Sequence, residues 1–534
     1  MASGPVFRVE VPQFLKIARR VDLSSPDWVT DERLSEPMQT RSIATGAPVS
    51  QLARRRKWKF RILTLLLAMM PWGVAELTLQ MLEQQPRSDL EDPFIGFDSE
   101  QPLFQLVEQG QLYRTAENRQ VYFRPQEFGV DKGPNEIRIF VIGGSTVQGR
   151  PYEVKTAFST WLQIALSTAE PSKKWTVVNC GGVSYASYRL VPIVDEVLKY
   201  DPDLVVICTG NNEFLEHRTY EDYLSQPLWQ RKLSGWSRNI ALVRAAQRFW
   251  QADETELRER LPVEVDAELD YEDAMESYQR DDLWTRAVQD HFRESLRQMA
   301  LKTRAAQVPV WLVLPPTNLR DCPPFKSERV GAARQVEDRL TEALQDGWYS
   351  RPLTERKTLL EMVLQEEPRF ALAQYWQGKC FDEEGDYENA AKAYQAAIDE
   401  DICPLRATQS TLQILREHAS RFDWALVDAP LLLSASCRGG IMDQTILEDH
   451  VHPKIQGHQS IGLALLERAC NEWGLSNREE VDQQVQRAFQ KHLDSLPSAY
   501  FERGRGRLEA LNRWARGRAI GAKARGGKDA RSEL

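Results

Sequence analysis

The sequence predicts an α/β protein: a parallel sheet whose strands alternate with helices, with helical insertions and one apolar N-terminal helix. Three observations lead there. Five short apolar runs, several rich in β-branched residues, recur between stretches of helical spacing. The first, third and fourth run straight into Gly, Asn or Pro turns carrying polar side chains, as strands do when their carboxyl ends open onto a ligand rim. A separate stretch, Ile62 to Leu82, is apolar over nearly the length a bilayer requires.

The first strand is Ile137 to Ile142, which stops at Gly143-Gly144 and delivers Ser145 into a tight turn. A helix over about 157–168 leads to a second strand, Trp175 to Asn179, and a helix over about 188–199 leads to a third, Leu204 to Thr209. Asp201-Pro202-Asp203 turns the chain into that third strand, and Gly210-Asn211-Asn212-Glu213 follows it. The fourth strand, Val308 to Leu314, runs into Pro315-Pro316 and brings Asn318 and Arg320 toward the same rim, where they are candidates for substrate contact or for bracing the turn. A helix from Thr408 to Ser420 precedes the fifth strand, Asp423 to Ala429. Asp449-His450-Val451-His452-Pro453 comes next, before a helix-like run from Gln456 to Glu467.

A serine hydroxyl becomes a useful nucleophile when a base takes its proton, and a carboxylate fixes that base in one tautomer. Asp449 and His452, three residues apart in a loop that Pro453 ends, have this chemistry, with His450 and His458 competing for the base. The chain has only seven histidines, so their clustering here is informative.

Four blocks in order, Gly143-Gly144-Ser145, Asn179 to Ser184, Gly210 to Glu213 and Asp449 to His452, resemble the motifs of the SGNH (GDSL-type) hydrolases. The resemblance covers about 137–214 and 424–470. It implies a three-layer α/β/α flavodoxin-like sheet and ester hydrolysis through an acyl-serine, with Ser145 as nucleophile, His452 as base and Asp449 as its orienting acid. It further implies an oxyanion hole made by the amide of Ser145, the side chain of Asn212 and a second amide, that of Ser184 or of the nearby Gly181 or Gly182. This sequence departs from the family in having Gly144 for an aspartate, Ser184 for a glycine and Glu213 for an aspartate. Neither a cofactor nor a metal is expected.

The chain is long enough for two or three domains. Residues 1–53 form a polar arm expected to be disordered, and 54–83 a basic flank, Arg54 to Arg61, with a single membrane anchor. Acids follow the apolar stretch, so the catalytic part is expected on the periplasmic or extracellular side. Residues 84–134 read as a linker or pre-domain. The hydrolase core occupies 135–329, with a Trp-rich helical insertion at about 215–306, and resumes at 406–475.

Residues 330–405 form a second helical insertion resembling the tetratricopeptide repeat through Ala371 to Gly378, Phe381, Gly385 to Tyr387, Ala390, Tyr394 and Ala397. It could meet a protein partner, but so few repeats more readily buttress the core. Residues 476–534 are a helical, basic tail, expected to be solvated and frayed near its end.

The net charge of −9 gives no reason to expect nucleic acid as a partner, and seven scattered cysteines imply neither a zinc site nor a disulfide framework. The location favours a short acyl ester on an envelope or extracellular glycan as substrate. Acyl transfer to a sugar hydroxyl would use the same residues, and a catalytically silent tetratricopeptide-type scaffold is the alternative of another class.

Overall fold

The computed structural model describes residues 59, 61, 63–64, 67–76, 78–79, 102–216, 265–328, 334–345, 347–475, 479–518 and 523. The polar arm and residues 217–264 of the Trp-rich helical insertion lie outside them. The chain divides into two units, Met1–Gly73 and Val74–Leu534. In the first, the described residues are helical. Their apolar side chains Leu63, Leu67, Met69, Met70 and Trp72 are exposed. Among the described residues no helix is long and apolar enough to cross a membrane.

The second unit opens with a small antiparallel sheet, β1 (Phe104–Val107), β2 (Leu112–Thr115) and β3 (Glu127–Gly129). Of the stretch expected to be a linker or pre-domain, residues 102–134 therefore carry a sheet of their own. Phe104, Tyr113 and Phe128 interlock with Phe140 and Tyr200 of the main core, edge to face or tilted.

The main sheet has five parallel strands: β4 (Glu136–Gly143), β5 (Lys174–Gly181), β6 (Leu204–Cys208), β7 (Val310–Val313) and β8 (Ala425–Val427), in the order β5-β4-β6-β7-β8. This is the flavodoxin-like order. Side chains alternate across the pleat, so Phe140 and Ile142 enter one apolar cluster while Ile139 and Val141 enter the other.

Helices cover both faces. After the single turn α1 (Ser145–Gln148) come α2 (Phe158–Ala169), α3 (Ser187–Val197) and α4 (Asp282–Ala305). The 330–405 region holds α5 (Arg334–Gln345), α6 (Leu353–Glu366), α7 (Ala371–Glu384) and α8 (Tyr387–Asp399); the longer helices that follow are α9 (Gln409–Phe422), α10 (Ile455–Trp473), α11 (Glu479–Asp494) and α12 (Ser498–Trp514). Phe292, Leu296, Ile414 and Leu415 bring α4 and α9 onto the face that also receives α3, while α2, α10 and α11 pack on the other. Because β4 is flanked by β5 and β6, and the crossovers α2 and α3 leave on opposite faces, the end of β4 is a topological switch point. Ser145 stands there.

The tail differs from expectation. Through α12 it is docked: the Tyr500 hydroxyl lies 2.9 Å from Thr156 Oγ1, and Gly504 is so close to the Tyr152 ring that a Cβ would approach within 2.2 Å. Trp514 Nε1 donates to Asp270 at 2.8 Å. An aromatic face turned inward outweighs the solubility of the arginines between.

In the 330–405 region, α7 and α8 pack closely because Gly378 admits the Tyr394 ring; a Cβ at 378 would stand 2.7 Å from it. Tyr394 is fully buried and donates to Asp382 at 3.2 Å, while Tyr375 donates to Arg320 O at 2.8 Å, tying this helix pair to the loop after β7. Tyr394→Ala should cost roughly 3–5 kcal/mol, the range for deleting a buried large ring. Chemical denaturation of the full chain, followed by tryptophan fluorescence, should show the α/β core destabilised with it. A core transition left at the native midpoint would show that the helix pair does not support the sheet.

Candidate active site

Ser145 begins α1 immediately beyond β4, and the turn is possible because two side chains are missing. A Cβ on Gly143 would meet Cys208 O at 2.1 Å, and one on Gly144 would meet Asn212 Nδ2 at 2.6 Å. The turn is then locked from β5: Asn179 Nδ2 donates to Val147 O at 2.7 Å, Gln148 Nε2 donates to Gly181 O at 3.1 Å, and Gly182 N donates to Gly143 O at 2.9 Å. Ser145 itself stays partly exposed amid buried neighbours.

His452 arrives from 307 residues away with Nε2 2.7 Å from Ser145 Oγ, and its Nδ1 lies 2.7 Å from Asp449 Oδ2. Burial works against a charge on Asp449. The neighbouring His452 and His450 rings and the hydrogen bonds from His452 and the Val451 amide outweigh it and hold the carboxyl well below the usual carboxylate range. A carboxylate only accepts, so Nδ1 carries the imidazole proton and Nε2 presents its lone pair to the serine hydroxyl.

The other two histidines of the loop are elsewhere. Burial pushes His450 down to about 4 and His458 down to about 3, leaving both neutral. His450 packs edge-on against Phe325, 5.2 Å between ring centres, and His458 stacks near Phe158. Of the three, His452 is the one bonded to Ser145, a distinction the sequence spacing alone left open.

Asn212 lies partly exposed on the same rim. Its Nδ2 donates one hydrogen to Tyr185 O at 3.0 Å, which orients the amide above Gly144 and leaves a second hydrogen. Ser184 holds a left-handed φ of 63°, a conformation that favours glycine, in a turn closed by Tyr185 N donating to Gly182 O at 3.2 Å. The Ser184 N–H meets no acceptor among the described residues. Gly181 and Gly182 have other work: Cβ atoms there would collide with Gln148 N at 2.3 Å and with the Phe123 ring at 2.8 Å.

Asn318 and Arg320 need correcting. Neither faces the rim. Asn318 is buried behind the histidine loop, where Nδ2 donates to Asp449 O at 3.1 Å and its amide to His450 O at 2.9 Å. Arg320 is buried between Asp382 at 2.6 Å and Asp443 at 2.7 Å. A guanidinium satisfied by two buried carboxylates is not available to a substrate; it joins the 330–405 helices to the segment that leads into Asp449.

Glu213, marked in the sequence only as a departure from the family pattern, is buried against the first residue of α3, accepting from Ser187 N at 3.1 Å and Ser187 Oγ at 2.7 Å, and so anchors the segment that carries Asn212. Its place between Asn211-Asn212 and Phe214-Leu215 was the available signal.

No protein-family model matches the chain, and no curated protein matches it. Among solved structures, Axe2, an acetylxylan esterase from Geobacillus stearothermophilus, is similar at 13% identity with a TM-score of 0.29, over 65% of this chain and 99% of that one. A protein described as lipolytic and of the G-D-S-L family from Desulfitobacterium hafniense DCB-2 is similar at 11% identity and a TM-score of 0.27, over 62% of this chain and 98% of that one. LAE5, described as an α/β hydrolase from the metagenome of Lake Arreo, Spain, is similar at 13% identity and a TM-score of 0.28, over 63% and 96% respectively. Likenesses of this size carry no argument about substrate or reaction.

Burial raises the Glu213 carboxyl to about 7 against the pull of its Ser187 and Thr209 donors. A carboxyl that binds its proton more tightly when folded contributes stability below about 4.5 that is lost as pH rises through about 7. Denaturation midpoints measured between those pH values should therefore decline less in Glu213→Gln than in the native chain. Equal declines would assign the pH dependence to other groups.

Proposed function

We propose that this chain is a serine esterase of SGNH type, cleaving its substrate through an acyl-serine intermediate. The observation that carries the proposal is the continuous Ser145–His452–Asp449 hydrogen-bonded line at the switch point of a parallel sheet. Ser145 Oγ attacks the ester carbonyl while its proton passes to His452 Nε2, and Asp449 keeps the imidazole in the tautomer that can receive it. The alkoxide leaves with the proton from His452. Water, deprotonated by the same nitrogen, then releases the acid and restores Ser145.

Negative charge on the tetrahedral oxygen would be met by the second hydrogen of Asn212 Nδ2 and by the amides of Ser145 and Ser184, each such donor being worth about 3–4 kcal/mol in the transition state. The left-handed turn at Ser184, with its N–H unspent among the described residues, supports that assignment.

We further propose that residues 54–83 anchor the chain in a membrane, with the later residues on the periplasmic or extracellular side. The basic flank before the apolar stretch and the exposed Leu67, Met69, Met70 and Trp72 support this reading. The substrate proposed for an enzyme so placed is a short acyl ester on an envelope or extracellular glycan. The 330–405 helices, read as tetratricopeptide-like, are proposed as a buttress for the Asp449 loop, through Arg320 and Tyr375.

Turnover of a short-chain nitrophenyl ester by the full chain tests the central proposal. Ser145→Ala and His452→Ala should each abolish nearly all turnover, and the double variant should be no worse, because groups that act as one unit lose their effect together. Asn212→Ala should lower kcat by about a hundred- to a thousandfold with little change in KM. Full activity of folded Ser145→Ala would end the esterase reading.

A further inference from the structure

An arginine cluster begins five residues beyond the nucleophile. Arg150 N donates to Ser145 O at 3.1 Å, closing the turn that carries the serine. The Arg150 side chain is steered by Gln148, whose Oε1 accepts from Arg150 Nε at 3.1 Å while its Nε2 donates to Tyr122 O at 2.6 Å and to Gly181 O at 3.1 Å. Gln148 is itself buried and bonded to the end of β5, so it holds the Arg150 side chain beside the strand ends from which Ser145 emerges.

Two further guanidiniums converge on it from distant parts of the chain. Arg124 comes from the loop before β3 and Arg507 from α12. Between them stands one carboxylate, Glu153: Arg124 Nε lies 3.5 Å from its Oε1, and Arg507 Nη2 bonds the same oxygen. Arg150 makes no ion pair within 4 Å among the described residues, although Glu153 attracts it from further away. Three positive charges thus face one negative charge, and Arg124 Nε is buried without a hydrogen bond. Burial, with repulsion from Arg124 and Arg507, lowers Arg150 to about 10.

Gathering like charges where water is partly excluded costs free energy unless an anion joins them. The planar fork of arginine matches the paired oxygens of a carboxylate or phosphate.

We propose that Arg150, with Arg124 beside it, forms an anion subsite, so that the ester cleaved at Ser145 carries a carboxylate or phosphate elsewhere in the same molecule. This rests on the esterase reading for its consequence in catalysis, but not for the binding of the anion.

Two measurements on the full chain separate the two. The first compares kcat/KM on 3-carboxy-4-nitrophenyl acetate with that on 4-nitrophenyl acetate. The ratio should fall about ten- to a hundredfold in Arg150→Ala, and less in Arg150→Lys, which keeps the charge and loses the fork. The second titrates inorganic phosphate calorimetrically into Ser145→Ala and into Ser145→Ala/Arg150→Ala. Binding should be seen in the first, weaken as salt is raised, and fall at least about tenfold in the second. An unchanged ratio with no Arg150-dependent phosphate binding overturns the anion subsite while leaving the esterase. Cleavage of neither ester with phosphate binding intact overturns the esterase reading and leaves the subsite.

Discussion

Ser145 can stand at the mouth of the sheet because no side chain grows from Gly143 or Gly144. The space a Cβ would need at these positions belongs to the carbonyl of Cys208 and the amide of Asn212. That close approach lets β4 and β6 end side by side, with the Asn212 side chain over Gly144, the residue before the serine. Several other contacts depend on it: Gly182 bonds the Gly143 carbonyl, Gln148 folds back onto Gly181, and Asn179 grips Val147. A methyl at 143 would push against backbone, which cannot rotate away, so both strand ends would have to part.

The histidine loop is held by a different means. Asp449 is buried, and an isolated buried carboxylate is expensive, yet Val451 N and His452 N both donate to its Oδ1 at 2.9 Å. Those two bonds fold the backbone so that the His452 ring reaches back to Oδ2. Asn318 fixes the loop from behind, and the Arg320 pairs with Asp382 and Asp443 fix it from the side. Loss of one partner from such a buried set leaves an uncompensated charge, which makes the 330–405 helices part of the support for the loop.

Much of this was legible in the sequence where the signal is local. The strands around Phe140, Val178, Val206, Leu312 and Leu426 are apolar runs bounded by turns, and their ends fall within a few residues of the expected positions. Ser145, Asn212, Asp449 and His452 were readable as candidates because their motifs accompany those strand ends. What the sequence did not show depends on distant partners. The strands β1 to β3 are three or four residues long and half polar, and take their stability from Phe128 and Tyr113 meeting Tyr200. The ordering of α12 rests on Tyr500 and Gly504 finding Thr156 and Tyr152, more than three hundred residues earlier. Arg320 follows a strand as a substrate-binding residue would, and its carboxylate partners at 382 and 443 were not foreseeable from spacing. The loop's residues alone left His450 beside His452 as a candidate base; the resemblance to the family motifs pointed to His452, the ring that the folded loop brings to Ser145.

The claim on which the rest turns is that His452 activates Ser145. Incubating the full chain with a fluorophosphonate and following intact mass tests it without knowledge of the natural substrate. Expected is one adduct, mapped by peptide mass to Ser145 and forming at least about a hundredfold more slowly in His452→Ala. An adduct on another residue, or one that forms on Ser145 as fast without His452, would contradict it.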